Sequence, residues 1–128
     1  MVGEGVDAGR IDMAGRALGR ALGPLAVMDE VSLSLNLQQA RQAEADGLSA
    51  AFCRLAARPV LEAMVAAGRC GRRQGGGFLD DGPDGRRRPW PGLQALFPAR
   101  RPAPDDAVIA HRLRWAEVLE ALRCLAEG

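Results

Sequence analysis

The 128-residue sequence predicts an all-α fold, a compact bundle of about five to six helices with a long Arg/Gly/Pro-rich loop before the last. Three observations predict it. Alanine and leucine dominate the apolar set, whereas strand-favouring residues are scarce: eight Val, two Ile, no Thr and no Tyr. Prolines and glycines fall where helices would begin and end, between apolar residues at helical spacing. The balance of 48% apolar and 26% charged residues is that of a folded chain rather than a disordered one.

The elements follow in order. "GVDAGRIDMAGRALG" offers Asp7 as a helix N-cap, Ile11, Ala14 and Leu18 on one face, and Gly19 as a stop. In "GPLAVMDEVSLSLNLQQARQAEADG", Pro24 suits a first helical position, a break near Val31 to Leu33 separates two helices, and Gly47 closes the second. In "LSAAFCRLAARPVLEAMVAAG", Pro59 ends a helix carrying Phe52 and Leu55 and begins one carrying Leu61, Met64 and Val65, which Gly68 closes. From Gly68 to Pro104 the chain is rich in glycine, proline and arginine, with a brief strand around Phe78 and a turn of helix at "GLQALF". "DDAVIAHRLRWAEVLEALRCLAEG" then reads as a long helix opened by Asp105 and Asp106 and apolar around most of its circumference, so it needs partners on several sides.

Charge is uneven. Between Gly68 and Arg101, eight arginines against Asp80, Asp81 and Asp84 leave +5, while the remaining nine arginines against 13 acids leave −4. The stretch "GRCGRRQGGGF" therefore has two readings: a phosphate cradle, in which guanidinium forks and glycine-turn amides bind an anion, or a solvated chain reversal. No uncharged run exceeds about a dozen residues, too short for a bilayer, and the first residues have no secretory core, so a cytoplasmic location is expected. Cys53, Cys70 and Cys124 form neither a disulfide framework nor a zinc knuckle.

Familiar catalytic motifs are missing. The chain has no lysine, which excludes a Walker loop, and "GEGVDAG" lacks both the dinucleotide spacing and a preceding strand. His111, the sole histidine, has no acid or cysteine at a metal-ligand spacing and reads as a packing or surface residue. Asp29-Glu30 and Asp105-Asp106 are adjacent acids whose side chains leave a helix on different faces, which makes them weak acid–base candidates.

Three segments in register resemble the C-terminal domain of the 3-hydroxyacyl-CoA dehydrogenase family: "EGVDAGRIDMAGRALGRALGPLAVMDEVSLSL", "PVLEAMVAAGRCGRRQGGGFLDD" and "RLRWAEVLEALRCLAEG". Gly23, Pro24, Leu25, Asp29 and Val31 match its "GP" helix start, and Met64, Val65, Gly68, Arg69, Gly71, Arg73, Gly75, Gly77 and Phe78 match its glycine-rich reversal. Residues 1–81 are thus expected to form the family's helical domain, 82–104 a linker, and 105–128 a terminal helix resembling the start of a second domain copy, as in multifunctional β-oxidation proteins. That helix is expected to pack on the first domain, in the slot of an opening helix that the chain lacks, within the chain or in a partner. Ala26, Arg73, Leu79 and Leu119 depart from the family's usual Glu, Lys, Tyr and Asn.

The resemblance implies a substrate-wall and dimerisation domain of an NAD-dependent oxidoreductase of fatty-acid metabolism. Its catalytic His–Glu pair belongs to an N-terminal Rossmann domain and matches no position here, so the chain alone is expected to bind no cofactor and to have no dehydrogenase activity. Gly23, Pro24 and Met28 are the candidate acyl contacts, against a reading of the same segment as a core helix start. Arg69, Arg72 and Arg73 are the candidates for CoA phosphates. Expected partners are acyl-CoA, a Rossmann NAD-binding domain in cis or trans and a second copy, with no metal, nucleic acid or membrane. Two other functions remain open: a scaffold domain without CoA affinity, and a polyanion binder working through the arginine-rich loop.

Overall fold

A computed structural model describes residues 1–48, 56–99 and 102–127. A short 3-10 turn, Val2–Glu4, leads into α1 (Ala8–Ala17), α2 (Pro24–Val31), α3 (Leu33–Ala45) and α4 (Arg58–Ala66). A second 3-10 turn, Arg72–Gln74, precedes the strands β1 (Leu79–Asp81) and β2 (Arg87–Pro89), the short α5 (Leu93–Leu96) and the long α6 (Asp106–Glu127). The fold is mostly helical, as composition requires. The expected helix carrying Phe52 and Leu55 lies outside the described residues, as does Cys53.

Local chemistry sets the helix ends. Asp7 caps α1 by accepting the Arg10 amide at 2.9 Å. Pro24 opens α2, but the cap comes from the neighbouring helix: the Asp12 carboxylate accepts the Leu25 amide at 2.8 Å. This leaves no room for a side chain at residue 23, because a Cβ on Gly23 would fall inside that carboxylate. At Ser32, between α2 and α3, the backbone takes φ +88°, a left-handed conformation costly for a residue other than glycine. It is held there by the next segment, since Leu33 N–H and the Ser32 hydroxyl both donate to the Cys70 carbonyl, at 2.7 and 3.1 Å. Gly68, at φ +75°, ends α4 as the Arg69 amide turns back to the Met64 carbonyl at 2.9 Å.

Each helix contributes to one core. Ile11 of α1, Leu33 of α3, Leu61 and Met64 of α4, Phe78 before β1 and Ile109 of α6 are its fully buried members. α1 is central and packs against α2, α6 and β2, while α3 packs on α4.

The arginine-rich segment is more ordered than a loop. β1 and β2 pair antiparallel with Leu79 opposite Pro89, Asp80 opposite Arg88 and Asp81 opposite Arg87, so acids face arginines across the ladder. β2 and α5 both lie within the stretch expected to be a linker. The first half of α6 buries apolar side chains against the body. Ile109 and Leu113 are buried, whereas Trp115, Val118, Leu119, Leu122 and Leu125 are exposed. Ion pairs Arg10–Asp106 and Arg112–Glu4 tie the same half down, and Arg20–Glu117 adds a tie just past the midpoint. Among the described residues, no helix is long and apolar enough to cross a membrane.

Candidate functional site

Two places concentrate the residues singled out by sequence: the glycine–arginine turn, and an apolar cleft beside α2. The turn is organised around Asp29, which is 1% exposed. Its two oxygens accept the Phe78 amide at 2.8 Å and the Leu79 amide at 3.0 Å, and Arg87 donates to the second at 3.0 Å. Burial pushes this carboxyl above its ordinary range, against the pull of the two amides and Arg87. Burial likewise raises Asp12, against the pull of the α2 amides it caps. The chain passes Asp29 closely because residue 77 has no Cβ, which would otherwise fall on the carboxylate. Asp29, read from sequence as a weak acid–base candidate, thus fastens α2 to the hairpin.

The arginines are spent unequally. Arg69 forks onto the carbonyls of Gly77 at 2.9 Å and Gly75 at 3.1 Å, pairs with Asp80, and lies 4.8 Å from the centre of the Trp90 ring. Arg72 bridges Asp81 at 2.9 Å and Glu30 at 2.7 Å. Arg73 is exposed and has no hydrogen-bond or ion-pair partner among the described residues. Of the three candidate phosphate ligands, two therefore hold the turn's own oxygens.

The cleft has a volume of about 520 Å³. It opens between the N-terminal turn, α1, α2, α4 and α6, and Ile11, Pro24, Met28, Val60, Phe78 and Leu113 are among its walls. Pro24 and Met28 meet there; Gly23 is the N-cap just before, and Arg69, Arg72 and Arg73 do not line it. Among the described residues Glu4 is the one acid in the wall, and its hydrogen bonds to Arg112, at 2.6 and 2.7 Å, hold its carboxyl down to about 2. Sequence reasoning missed Ile11, Phe78 and Leu113 as wall residues, although the apolar face carrying Ile11 was visible.

Chemically, the cleft can take an apolar chain and supplies little to react with it. His111 is exposed on α6. No group of three His, Cys, Asp or Glu side chains fit to hold a metal occurs among the described residues. The described strands form a two-stranded antiparallel sheet.

An all-helical domain with an apolar cleft, fastened by a glycine–arginine reversal, is the class these features define. A family model described as 3-hydroxyacyl-CoA dehydrogenase, C-terminal domain, matches residues 1–81. The match spans more than half of the sequence, and the chain belongs to that family. No curated protein matches it. Strand β2, α5 and α6 lie beyond the matched residues.

Proposed function

We propose that the chain forms the substrate wall of an NAD-dependent 3-hydroxyacyl-CoA dehydrogenase of fatty-acid β-oxidation in the cytoplasm, without catalysis of its own. A Rossmann domain, in cis or in trans, supplies NAD and the catalytic pair, and a second copy supplies the dimer. The observation that carries the reading is the cleft beside α2. It is apolar, it is large enough for an acyl chain, and it gathers Pro24 and Met28 from the family's helix start. Among the arginines, Arg73 retains a free fork for a CoA phosphate. The pairing of Arg69, Arg72, Arg87 and Arg88 with protein carboxylates favours this reading over a general polyanion binder.

Calorimetric titration of the purified chain with CoA and with acyl-CoAs of increasing length tests it, at low and high salt. Saturable binding that strengthens with acyl length, and that is lost in Met28→Glu, is the expected result. Absence of acyl-dependent binding overturns it in favour of a scaffold. Binding that ignores the acyl group and vanishes in salt overturns it in favour of a polyanion binder.

A further inference from the structure

A second, smaller cavity, of about 270 Å³, opens where the N-terminal turn and the start of α1 meet β2 and α5. Pro89, Trp90, Pro91 and Phe97 line it, with Val2 and Val6 among the other walls. The four ring-bearing side chains all lie beyond residues 1–81, so the cavity is built only by adding the later segment to the matched domain. Its volume falls just below that of sites for drug-sized ligands, which suits a single ring system.

The indole is fixed before any ligand arrives. Arg69 lies 4.8 Å from the centre of its ring, and a Cβ on Gly92 would fall on its six-membered ring, so the backbone there packs directly against it. Neither Arg69 nor any other cation is among the described lining residues. A phosphate therefore finds no charged partner inside, and a cationic ligand on this indole would meet the charge of Arg69. A neutral flat ring meets neither obstacle. Two lining residues, Asp7 and Gln94, also keep polar groups that the protein leaves unused. Asp7 caps α1 with one oxygen, while its second oxygen and the exposed Gln94 amide have no partner among the described residues. Together they offer a carboxylate acceptor and an amide that both donates and accepts.

We propose that this cavity is a binding pocket for an adenine ring. Contact with the rings of Trp90 and Phe97 supplies the part of the affinity that any base would share. The polar groups supply the choice. Adenine sets an amine donor beside a ring-nitrogen acceptor, a pair that one glutamine amide bonds at once, and the second amine hydrogen remains for Asp7. Guanine puts a carbonyl oxygen where that amine stands, against the Asp7 carboxylate. The pocket therefore takes adenine over guanine and leaves phosphate outside. This inference goes beyond the acyl-wall reading and does not rest on it, because a free adenine nucleotide and coenzyme A carry the same ring.

The test is fluorescence titration of the full chain carrying Trp115→Phe, in which Trp90 is the sole tryptophan, with adenosine, AMP, GMP and coenzyme A. Saturable quenching by adenosine at about 0.1 to 1 mM is expected, the affinity a ligand of this size sustains, with AMP within about threefold at low and high salt. GMP should bind about tenfold or more weakly than AMP, and Gln94→Leu should remove that preference while keeping the circular dichroism of the parent chain. Absence of saturation by adenosine, equal binding of AMP and GMP, or a preference that survives Gln94→Leu overturns the pocket. Binding of AMP that needs the phosphate and vanishes in salt overturns it too, since the ligand then sits on the arginines. Competition between AMP and coenzyme A assigns the ring to the coenzyme, and simultaneous binding assigns it to a free nucleotide; the pocket stands in both cases. A chain that binds adenosine but shows no acyl-dependent binding of acyl-CoA refutes the substrate-wall reading alone.

Discussion

Removing the Asp29 carboxylate should cost more than any single apolar contact in the fold. In Asp29→Ala, the amides of Phe78 and Leu79, now bonded at 2.8 and 3.0 Å, lose their acceptor in a buried setting. Each orphaned donor costs about 1 to 3 kcal/mol. Arg87 loses its bond at 3.0 Å but keeps Asp81 at 3.3 Å and Glu30 at 3.6 Å, so its contribution to the loss is the smallest. The total is about 4 kcal/mol, a large share of the stability expected for a domain of this size. Thermal unfolding at pH 7, followed by circular dichroism, should show Tm lowered by about 15 °C. Asp29→Asn keeps one acceptor oxygen and should fall about halfway. An Ala variant within about 3 °C of wild type would refute the claim that this carboxylate fastens α2 to the hairpin.

Gly77→Ala forces a methyl group onto the same carboxylate, so urea denaturation should report a loss of about 3 kcal/mol; an unchanged midpoint would mean that the turn yields easily. Glu4 supplies a pH dependence. Arg112 draws its carboxyl from 4.5 to about 2, so the folded chain releases this proton more readily than the unfolded one. The stabilisation is complete above 4.5 and is lost as pH falls toward 2; with side chains 46% and 43% exposed, it amounts to less than about 1 kcal/mol. Arg112→Gln should flatten the acid limb of the stability curve in that window, and identical limbs would argue against the pair. Arg73→Gln should weaken acyl-CoA binding by about tenfold without changing Tm, whereas Arg72→Gln, which breaks contacts to Asp81 and Glu30, should lower Tm. The reverse pattern would exchange their roles.

Much of the helical frame was legible because its signals are local. Asp7, Pro24, Pro59 and Gly68 act within a turn of their own position, and each stands at or beside the boundary it marks. The ordered spacing of glycines and prolines also carried the family resemblance that the match over residues 1–81 established. The remainder depends on contacts distant in sequence. Asp12 caps a helix that begins a dozen residues later, and Arg72 reaches back to Glu30, neither of which any periodicity announces. β2, written "RRP", carries no strand propensity; it lies in register with β1, where Arg87 pairs with Asp81 at 3.3 Å across the ladder. The cleft was legible only at Pro24 and Met28, since its other walls arrive from four separate elements.

The excess of arginine in the turn therefore has a structural origin. A reversal built from Gly71, Gly75, Gly76 and Gly77 has backbone oxygens and little apolar surface with which to cover them. A planar fork can bond several such oxygens at once, which a single ammonium does less well, and Arg69 does so at Gly75 and Gly77 while its flat face meets Trp90. At residue 76 a side chain would meet this guanidinium, and the backbone φ of +112° there favours glycine in any case. An incoming phosphate would have to displace Asp80 from Arg69, or Asp81 and Glu30 from Arg72, exchanging one charge-assisted bond for another with little gain. Of the three candidate phosphate ligands, Arg73 alone has no partner among the described residues, and the positive charge written into the sequence at Arg69 and Arg72 is internal glue.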